Sequence, residues 1–386
     1  MNERAFQQLR VMTVFGTRPD TIKMAPVVEA LRAAAPAVQP IVCVSAQHRQ
    51  MLDELLDLFG IIPDYDLDIM EEGQTLTKVT TKVLTGMERV LRQARPDVVL
   101  VHGDTSTSSA AALAAFYQQV PVGHVEAGLR TNNRYEPFPE EINRRINGVL
   151  ANYHFAPTAR SAANLLGEGI DPHDVIVTGN TVIDAFLRVA ARDDVDAPQL
   201  AQLDPERPLL FVEAHRRENH EAMTEIAAAM RDIAQLPQRP QIVWPLHPSP
   251  HVAPVVRSVL AGVEGVHLTA PLNYGELVRT VRAARFLLTD SGGLQEEAPC
   301  LGKPVLVMRR TTERPEGLAA GTLELVGTAR STIVTAAARL LSDVDAYLAM
   351  ARASNPYGDG KAAERIVCWL LARLRDGAYP SAFVAA

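Results

Sequence analysis

The stretch Val11-Met12-Thr13-Val14-Phe15-Gly16-Thr17-Arg18-Pro19-Asp20 decides the fold. An apolar, β-branched run ends at a glycine, and residues suited to a helix start follow. An apolar run without polar alternation marks a parallel strand buried on both faces. The pattern recurs at Ile41–Val44, Val98–Val101, Val122–Val125, Val175–Val177, Leu209–Val212, Ile242–Trp244, Phe286–Leu288 and Val305–Val307. Ala/Leu-rich helical stretches separate these runs, giving βαβ units. The predicted fold is α/β, doubly wound around parallel sheets and repeated twice.

A chain of 386 residues exceeds one typical domain. The most polar, least helical break is Arg192–Pro208, with Asp193, Asp194, Asp196, Pro198, Pro205 and Pro208. A second break, Asn355–Gly360, precedes a helix expected from Lys361 to Asp376. The predicted domains are residues 1–192 and 193–360, with a terminal helix and tail over 361–386.

Hydrophobic residues at 47% and charged residues at 22% exclude a disordered or fibrous chain. A net charge of −7 argues against wrapping nucleic acid, though not against a local basic pocket. Cys43, Cys300 and Cys368 form neither a disulfide framework nor a zinc-ligand spacing, and suit a reduced compartment. Met1–Arg10 lacks the apolar core of a signal peptide, and no run approaches the ~18 apolar residues of a membrane span. The expectation is a soluble cytoplasmic protein without a membrane partner.

Ligands of open α/β sheets bind at the carboxyl ends of strands, so the motifs there carry the chemistry. Gly16-Thr17-Arg18-Pro19-Asp20 suits an anion beside a helix N-terminus or a plain helix start. His102-Gly103-Asp104-Thr105-Ser106-Thr107 offers Asp104 as a working carboxylate or a helix cap. In His124-Val125-Glu126, a charge directly follows an apolar strand, where it needs a task or a partner. Glu140 with Arg144, and Glu141 with Arg145, have helical i,i+4 spacing; the second pair reads as a surface ion pair. His215-Arg216-Arg217 can bind phosphate and supply a titrating group. Asp290-Ser291-Gly292-Gly293 lets backbone N–H groups approach a pyrophosphate, with Glu296 and Glu297 placed for a ribose diol. Arg309, Arg310 and Arg314 hold phosphate charge or the nearby acids. His247 and His251 are separated by prolines that prevent helical ligand geometry, and no metal is expected there. These residues imply an enzyme doing acid–base chemistry on an anionic, nucleotide-linked substrate.

Together the stretches GTRPDTIKMAP, AQHRQMLD, VHGDTSTS, GHVEAGLRT, PFPEEINRR, GNTVIDA, HRREN, LTDSGGLQEEAPCLGKPVLVMR and TTERPE resemble the non-hydrolysing UDP-N-acetylglucosamine 2-epimerases, in the family's order, over nearly all of residues 11–330. The resemblance implies a GT-B-type fold of two Rossmann-like domains, with the active site in the cleft between them. It implies a homodimer whose C-terminal helix returns to the first domain. The implied activity is interconversion of UDP-GlcNAc and UDP-ManNAc without a cofactor, through UDP elimination, a 2-acetamidoglucal and re-addition, for bacterial surface polysaccharide. Carried over by motif, Asp104, Glu126, Glu140 and His215 form the catalytic set. Arg18, Lys23, Arg144, Tyr274, Ser291, Gly292, Gly293 and Glu297 contact substrate or UDP.

Some family members bind a second UDP-GlcNAc as activator, and Gln47, Gln50 and Gln74 match residues associated with that site. Here Gly73 replaces the basic residue that often precedes the last glutamine, and His220-Glu221 replaces the usual Leu-Gly after HRREN. A hydrolysing epimerase and a GT-B glycosyltransferase are the competing readings. The intact HVEAGLRT segment argues against the first, and the Asp104, Glu126 and Glu140 set against the second.

Overall fold

Two parallel sheets are built mostly from strands whose side chains are buried on both faces. The computed structural model describes residues 8–47, 49–375 and 377–385; the side chain of Gln50 and the expected helix end at Asp376 lie outside the described residues. The first sheet contains β1 (Leu9–Phe15), β2 (Val38–Val44), β3 (Tyr65–Asp66), β4 (Val98–His102), β5 (Val122–Val125), β6 (Tyr153–Ala156) and β7 (Val175–Val177). Its order is β3-β2-β1-β4-β5-β6-β7. The second contains β8 (Leu209–Glu213), β9 (Gln241–Pro245), β10 (Val266–Thr269), β11 (Phe286–Thr289), β12 (Val305–Val307) and β13 (Leu323–Leu325), ordered β10-β9-β8-β11-β12-β13. The fold is α/β, with two Rossmann-like units of the GT-B type.

Strand order reverses between β1 and β4 in the first sheet and between β8 and β11 in the second. Crossover connections leave in opposite directions there, opening a crevice beyond the strands' carboxyl ends. The motifs following β1, β4, β8 and β11 therefore sit at or beside these two points.

The quoted stretch shows why the first sheet is covered on both sides. Leu9, Val11 and Phe15 pack with Met24, Val28, Ile366 and Trp369, whereas Met12 and Val14 pack with Val83, Met87 and Ala111. Alternate residues serve opposite faces, and even the polar Thr13 of this strand is buried. Gly16 is required by close approach: a Cβ there would stand 1.8 Å from Ser45 Oγ. Asp20 caps the helix Arg18–Ala33, accepting the Thr17 N–H at 2.6 Å and the Gly16 N–H at 3.2 Å.

Four strands carry no continuous apolar run and escape a reading by hydrophobicity. β3 is two residues long, β10 is half-buried throughout, β13 carries Glu324, and β6 carries the buried His154.

One unit runs to Ala185 and resumes at Gly358–Val384; the other spans Phe186–Tyr357. The divisions expected at 192/193 and 360/361 thus fall earlier. The first lies inside the unbroken helix Thr181–Ala190, where no turn residue announces it. The polar stretch beyond is tied into the second unit by Asp193, which pairs with Arg279 and Arg282 at 3.1 Å each.

The helix Ala362–Arg375 closes the first unit. Trp369 lies edge-on to Phe155, with ring centroids 5.5 Å apart. Asp184 accepts the N–H groups of Ala362 at 3.2 Å and Ala363 at 2.9 Å, satisfying two orphan donors at the helix start. Burial pushes the Asp184 carboxyl up from 3.8 to about 6, against those hydrogen bonds. The folded state therefore holds this proton more tightly than the unfolded chain does. The group's contribution to stability grows as pH falls from above 6 toward 3.8 and shrinks as pH rises through about 6. Replacing Asp184→Ala strands the two donors and should cost about 1–3 kcal/mol. Hydrogen exchange over 363–375 should accelerate first; unchanged exchange there would show that side-chain packing alone holds the helix.

Candidate active site

Glu126 leaves β5 with φ +62°, in the left-handed region that a residue with a side chain rarely adopts. This turn carries its carboxylate to the end of the sheet rather than along the strand. The carboxylate is 9% exposed and engages three groups. Lys23, on the helix after β1, forms an ion pair with Oε1. Asn180 Nδ2 donates to the same oxygen at 3.0 Å. His102 Nε2 stands 3.5 Å from Oε2. Burial alone would raise the Glu126 pKa; Lys23, His102 and the hydrogen bonds from Lys23 and Asn180 outweigh it and hold the group at about 2. Burial pushes His102 down to about 4, leaving the ring neutral at pH 7. Gly103 turns with φ +59°, and a Cβ there would sit 3.3 Å from Glu126 Oε2.

One strand away, Asp104 follows β4. Arg144 Nε donates to Asp104 Oδ2 at 2.9 Å, and a second guanidinium nitrogen lies 2.6 Å from the same oxygen. Asn143 Nδ2 donates to the Asp104 carbonyl at 2.8 Å, and Asn147 Nδ2 to the Gly103 carbonyl at 3.1 Å. The helix Glu140–Leu150 thus clamps the end of β4 through three side chains.

One expectation needs correction, the surface placement of the Glu141–Arg145 pair, and the i,i+4 spacing of Glu140 and Arg144 does not make them partners. Arg144 turns to Asp104 rather than Glu140, and Glu140 is half-buried without an ion-pair partner among the described residues. Glu141 is completely buried, not a surface residue. It accepts the N–H of Thr131 at 2.9 Å and of Asn132 at 3.1 Å, and Arg144 and Arg145 approach within 3.4 and 3.3 Å. The i,i+4 spacing is compatible with a surface pair, but the segment Thr131–Pro139 has backbone donors that need an internal acceptor. Glu141→Ala should destabilise the protein by about 2–4 kcal/mol. Faster exchange at Thr131 and Asn132, read by mass spectrometry, checks this; a purely surface pair would leave those amides unchanged.

In the second unit, Asp290 follows β11 and is completely buried. It accepts the His215 N–H at 3.0 Å, the Arg216 N–H at 2.9 Å and Asn219 Nδ2 at 2.9 Å. The loop after β8 is thereby bound to the end of β11. His215 Nδ1 lies 3.7 Å from Asp290 Oδ1, and the ring stacks on His247 with centroids 5.4 Å apart. Burial lowers the His215 pKa, Asp290 opposes that, and His247 and Arg216 add to it. His251 stacks on His220 at 4.8 Å.

A Cβ on Gly292 would meet an Arg216 guanidinium nitrogen at 3.3 Å, so this cation lies directly over Ser291-Gly292-Gly293. Glu297 is buried behind them, and Glu296 pairs with Arg314. Arg309 pairs with Glu218 and Glu313, both at 2.6 Å, rather than remaining available to an anion. Tyr274 is buried at a helix start, its ring edge-on to Phe186 at 6.5 Å.

The structure therefore gathers Lys23, Glu126, Asp104 and Arg144 at the strand ends of the first unit, and His215, Ser291, Gly292 and Gly293 at those of the second. Arg18 opens its helix half-buried and forms no ion pair among the described residues. Gln47 accepts the Thr107 hydroxyl at 3.1 Å, and Gln74 is half-buried before the helix Leu76–Ala94. Residue-by-residue reading missed Asn180, His102, Glu141 and Asp290. Each stands in a quoted motif, but none has a spacing that reveals its partner.

Two Rossmann-like units with ionised side chains gathered at their strand-order reversals define a GT-B-type α/β protein built for an anionic ligand. The family model described as UDP-N-acetylglucosamine 2-epimerase matches residues 30–371. The chain is 52% identical over 367 residues to the UDP-N-acetylglucosamine 2-epimerase of Escherichia coli K12, covering 93% of this chain and 97% of that protein. It is 50% identical over 366 residues to the Bacillus subtilis 168 enzyme of the same name, covering 95% and 96%. A crystal structure of UDP-GlcNAc 2-epimerase from Neisseria meningitidis bound to UDP-GlcNAc matches with TM-score 0.83 and 47% identity, covering 94% of this chain and 100% of that one. The chain belongs to the UDP-N-acetylglucosamine 2-epimerase family.

The ion pair makes a pH prediction. Lys23→Met removes the cation that opposes burial, so the Glu126 pKa should rise by more than about one unit. The acidic limb of kcat/KM should move to higher pH in this variant. An unmoved limb would mean that Glu126 does not set it.

Proposed function

We propose that the protein interconverts UDP-GlcNAc and UDP-ManNAc by the non-hydrolysing route, as a cytoplasmic homodimer feeding bacterial surface polysaccharide. The observation that carries this reading is Glu126, an ionised carboxylate kept in the interior by Lys23 and Asn180 beside Asp104 and Arg144. Such an arrangement is costly for mere packing and suited to moving a proton.

The hydrogen on C2 of the sugar is too weakly acidic for simple abstraction. Its removal is coupled to departure of UDP: the C2–H electron pair becomes the C1–C2 double bond while the C1–O pair leaves with UDP. The bound products are 2-acetamidoglucal and UDP. Re-addition of UDP at C1, with protonation of C2 from the opposite face, gives the epimer. Two faces require acid–base groups on both sides, and Asp104, Glu126 and Glu140 are the groups assigned. Glu126, held ionised, is in the form that can accept a proton. Arg18, Lys23 and Arg144 supply positive charge around the reacting end of the substrate. His215 and Arg216, over Ser291-Gly292-Gly293, stabilise the charge of the departing diphosphate, and Glu297 takes the ribose.

Proton NMR of the protein with UDP-GlcNAc in D2O tests the reading. UDP-ManNAc should appear, with deuterium entering C2. Free ManNAc with UDP would establish the hydrolysing reaction instead. Asp104→Asn, Glu126→Gln and Glu140→Gln should each reduce turnover by at least about a hundredfold while UDP binding persists. Near-normal turnover in any one removes that residue from the set.

A further inference from the structure

The second unit has another cavity, of about 670 Å³, away from the side chains described above. Its position follows from the strands. Leu209 begins β8, Gln241 begins β9, Arg285 immediately precedes β11, and Lys303 lies just before β12. All four line the cavity, which therefore sits at the amino-terminal edge of the sheet. His215 and Ser291 lie beyond the carboxyl-terminal edge of the same sheet.

The electrostatics of this cavity are unbalanced. Lys303 is half-buried and forms no ion pair among the described residues, and burial pushes its ammonium below the ordinary lysine range. The Arg285 guanidinium lies 4.4 Å from the centre of the Tyr347 ring. Its Nε is enclosed and makes no hydrogen bond among the described residues. The Tyr347 hydroxyl donates to the Arg285 carbonyl at 3.2 Å, so ring and backbone brace the arginine together. Arg207 is already engaged: its Nε donates to the Arg239 carbonyl at 2.7 Å, and Glu264 lies 3.8 Å away.

Two carboxylates also line the cavity, and neither neutralises the cations. Asp204 Oδ1 accepts the Glu206 N–H at 3.0 Å in a local turn. Neither Asp204 nor Glu206 comes within ion-pair distance of Lys303 or Arg285 among the described residues. Both cations are half-buried, and partial removal from water without a counter-charge is a cost that a bound anion would offset. The feature stands out on a chain with net charge −7.

We propose that this cavity is a second anion site, for a small phosphate-bearing molecule held between Lys303 and Arg285. A point charge and a braced planar fork together match a phosphate group. The volume leaves room for a small organic body on the phosphate. The site lies at the opposite edge of the sheet from the residues assigned to the diphosphate, so both can be filled together.

The test is calorimetric titration of inorganic phosphate into the full-length protein saturated with UDP. Saturable binding should persist under UDP. Lys303→Met should weaken it at least tenfold, while Lys303→Arg should keep it within about threefold. Arg285→Met should also weaken it, with UDP binding intact in all three variants as the check on folding. Glycerol phosphate binding more tightly than inorganic phosphate would assign the site to a monoester; equal affinities would assign it to the free ion. Complete competition by UDP, unchanged binding in Lys303→Met, or no saturation by about 10 mM phosphate would each overturn the proposal.

Discussion

The ion pair between Lys23 and Glu126 joins two strand ends of the first unit that are distant in sequence. Lys23 comes from the helix after β1 and Glu126 from the end of β5, and Asn180, beyond β7, completes the carboxylate's surroundings. A carboxylate at the mouth of a buried parallel strand is tolerable only when donors meet it. The left-handed backbone at Glu126 and the glycine at 103 follow from that need: one aims the carboxylate, and the other makes room beside it. Strain of this kind persists where the surroundings determine it strongly.

The second unit answers the same requirement in a different way. Asp290 is met mainly by backbone N–H groups of the loop after β8, with the Asn219 side chain as a further donor. A charge satisfied by backbone holds a loop rigidly and leaves the neighbouring side chains available. His215 and Arg216 are those neighbours. In the first unit the carboxylate is Glu126, the group proposed to react, and its partners are side chains. In the second it is scaffolding, and the side chains it positions are the ones suited to an anion.

Much of this was legible in the sequence, for physical reasons that can be named. Strands buried on both faces announce themselves by uninterrupted hydrophobicity, as Val11–Phe15 and Val98–Val101 do. Strands at edges or carrying a buried polar residue do not: β10 is half-buried and β6 holds His154. Glu126 was legible because a charge directly after an apolar run has no bland explanation. Glu141 was not, because i,i+4 spacing to Arg145 fits a solvated helix face equally well. Its burial depends on the path of residues 131–139, which no local pattern encodes. Asp290 was quoted within a glycine motif, yet its partners lie more than seventy residues away in sequence. Local periodicity carries no information at that range.

Glu141 also shows how one buried acid can position another acid. It binds the Thr131 and Asn132 amides on one side and approaches Arg144 on the other. Arg144 in turn holds Asp104. Two carboxylates thus share one guanidinium, the first buried and the second half-exposed. The buried one fixes the arginine, because a charge with no access to water cannot exchange its partner for solvent. Asp104 is then aimed by a cation whose own position is set from behind. The order of causes runs from the buried loop anchor, through the half-buried arginine, to the half-buried carboxylate at the strand end.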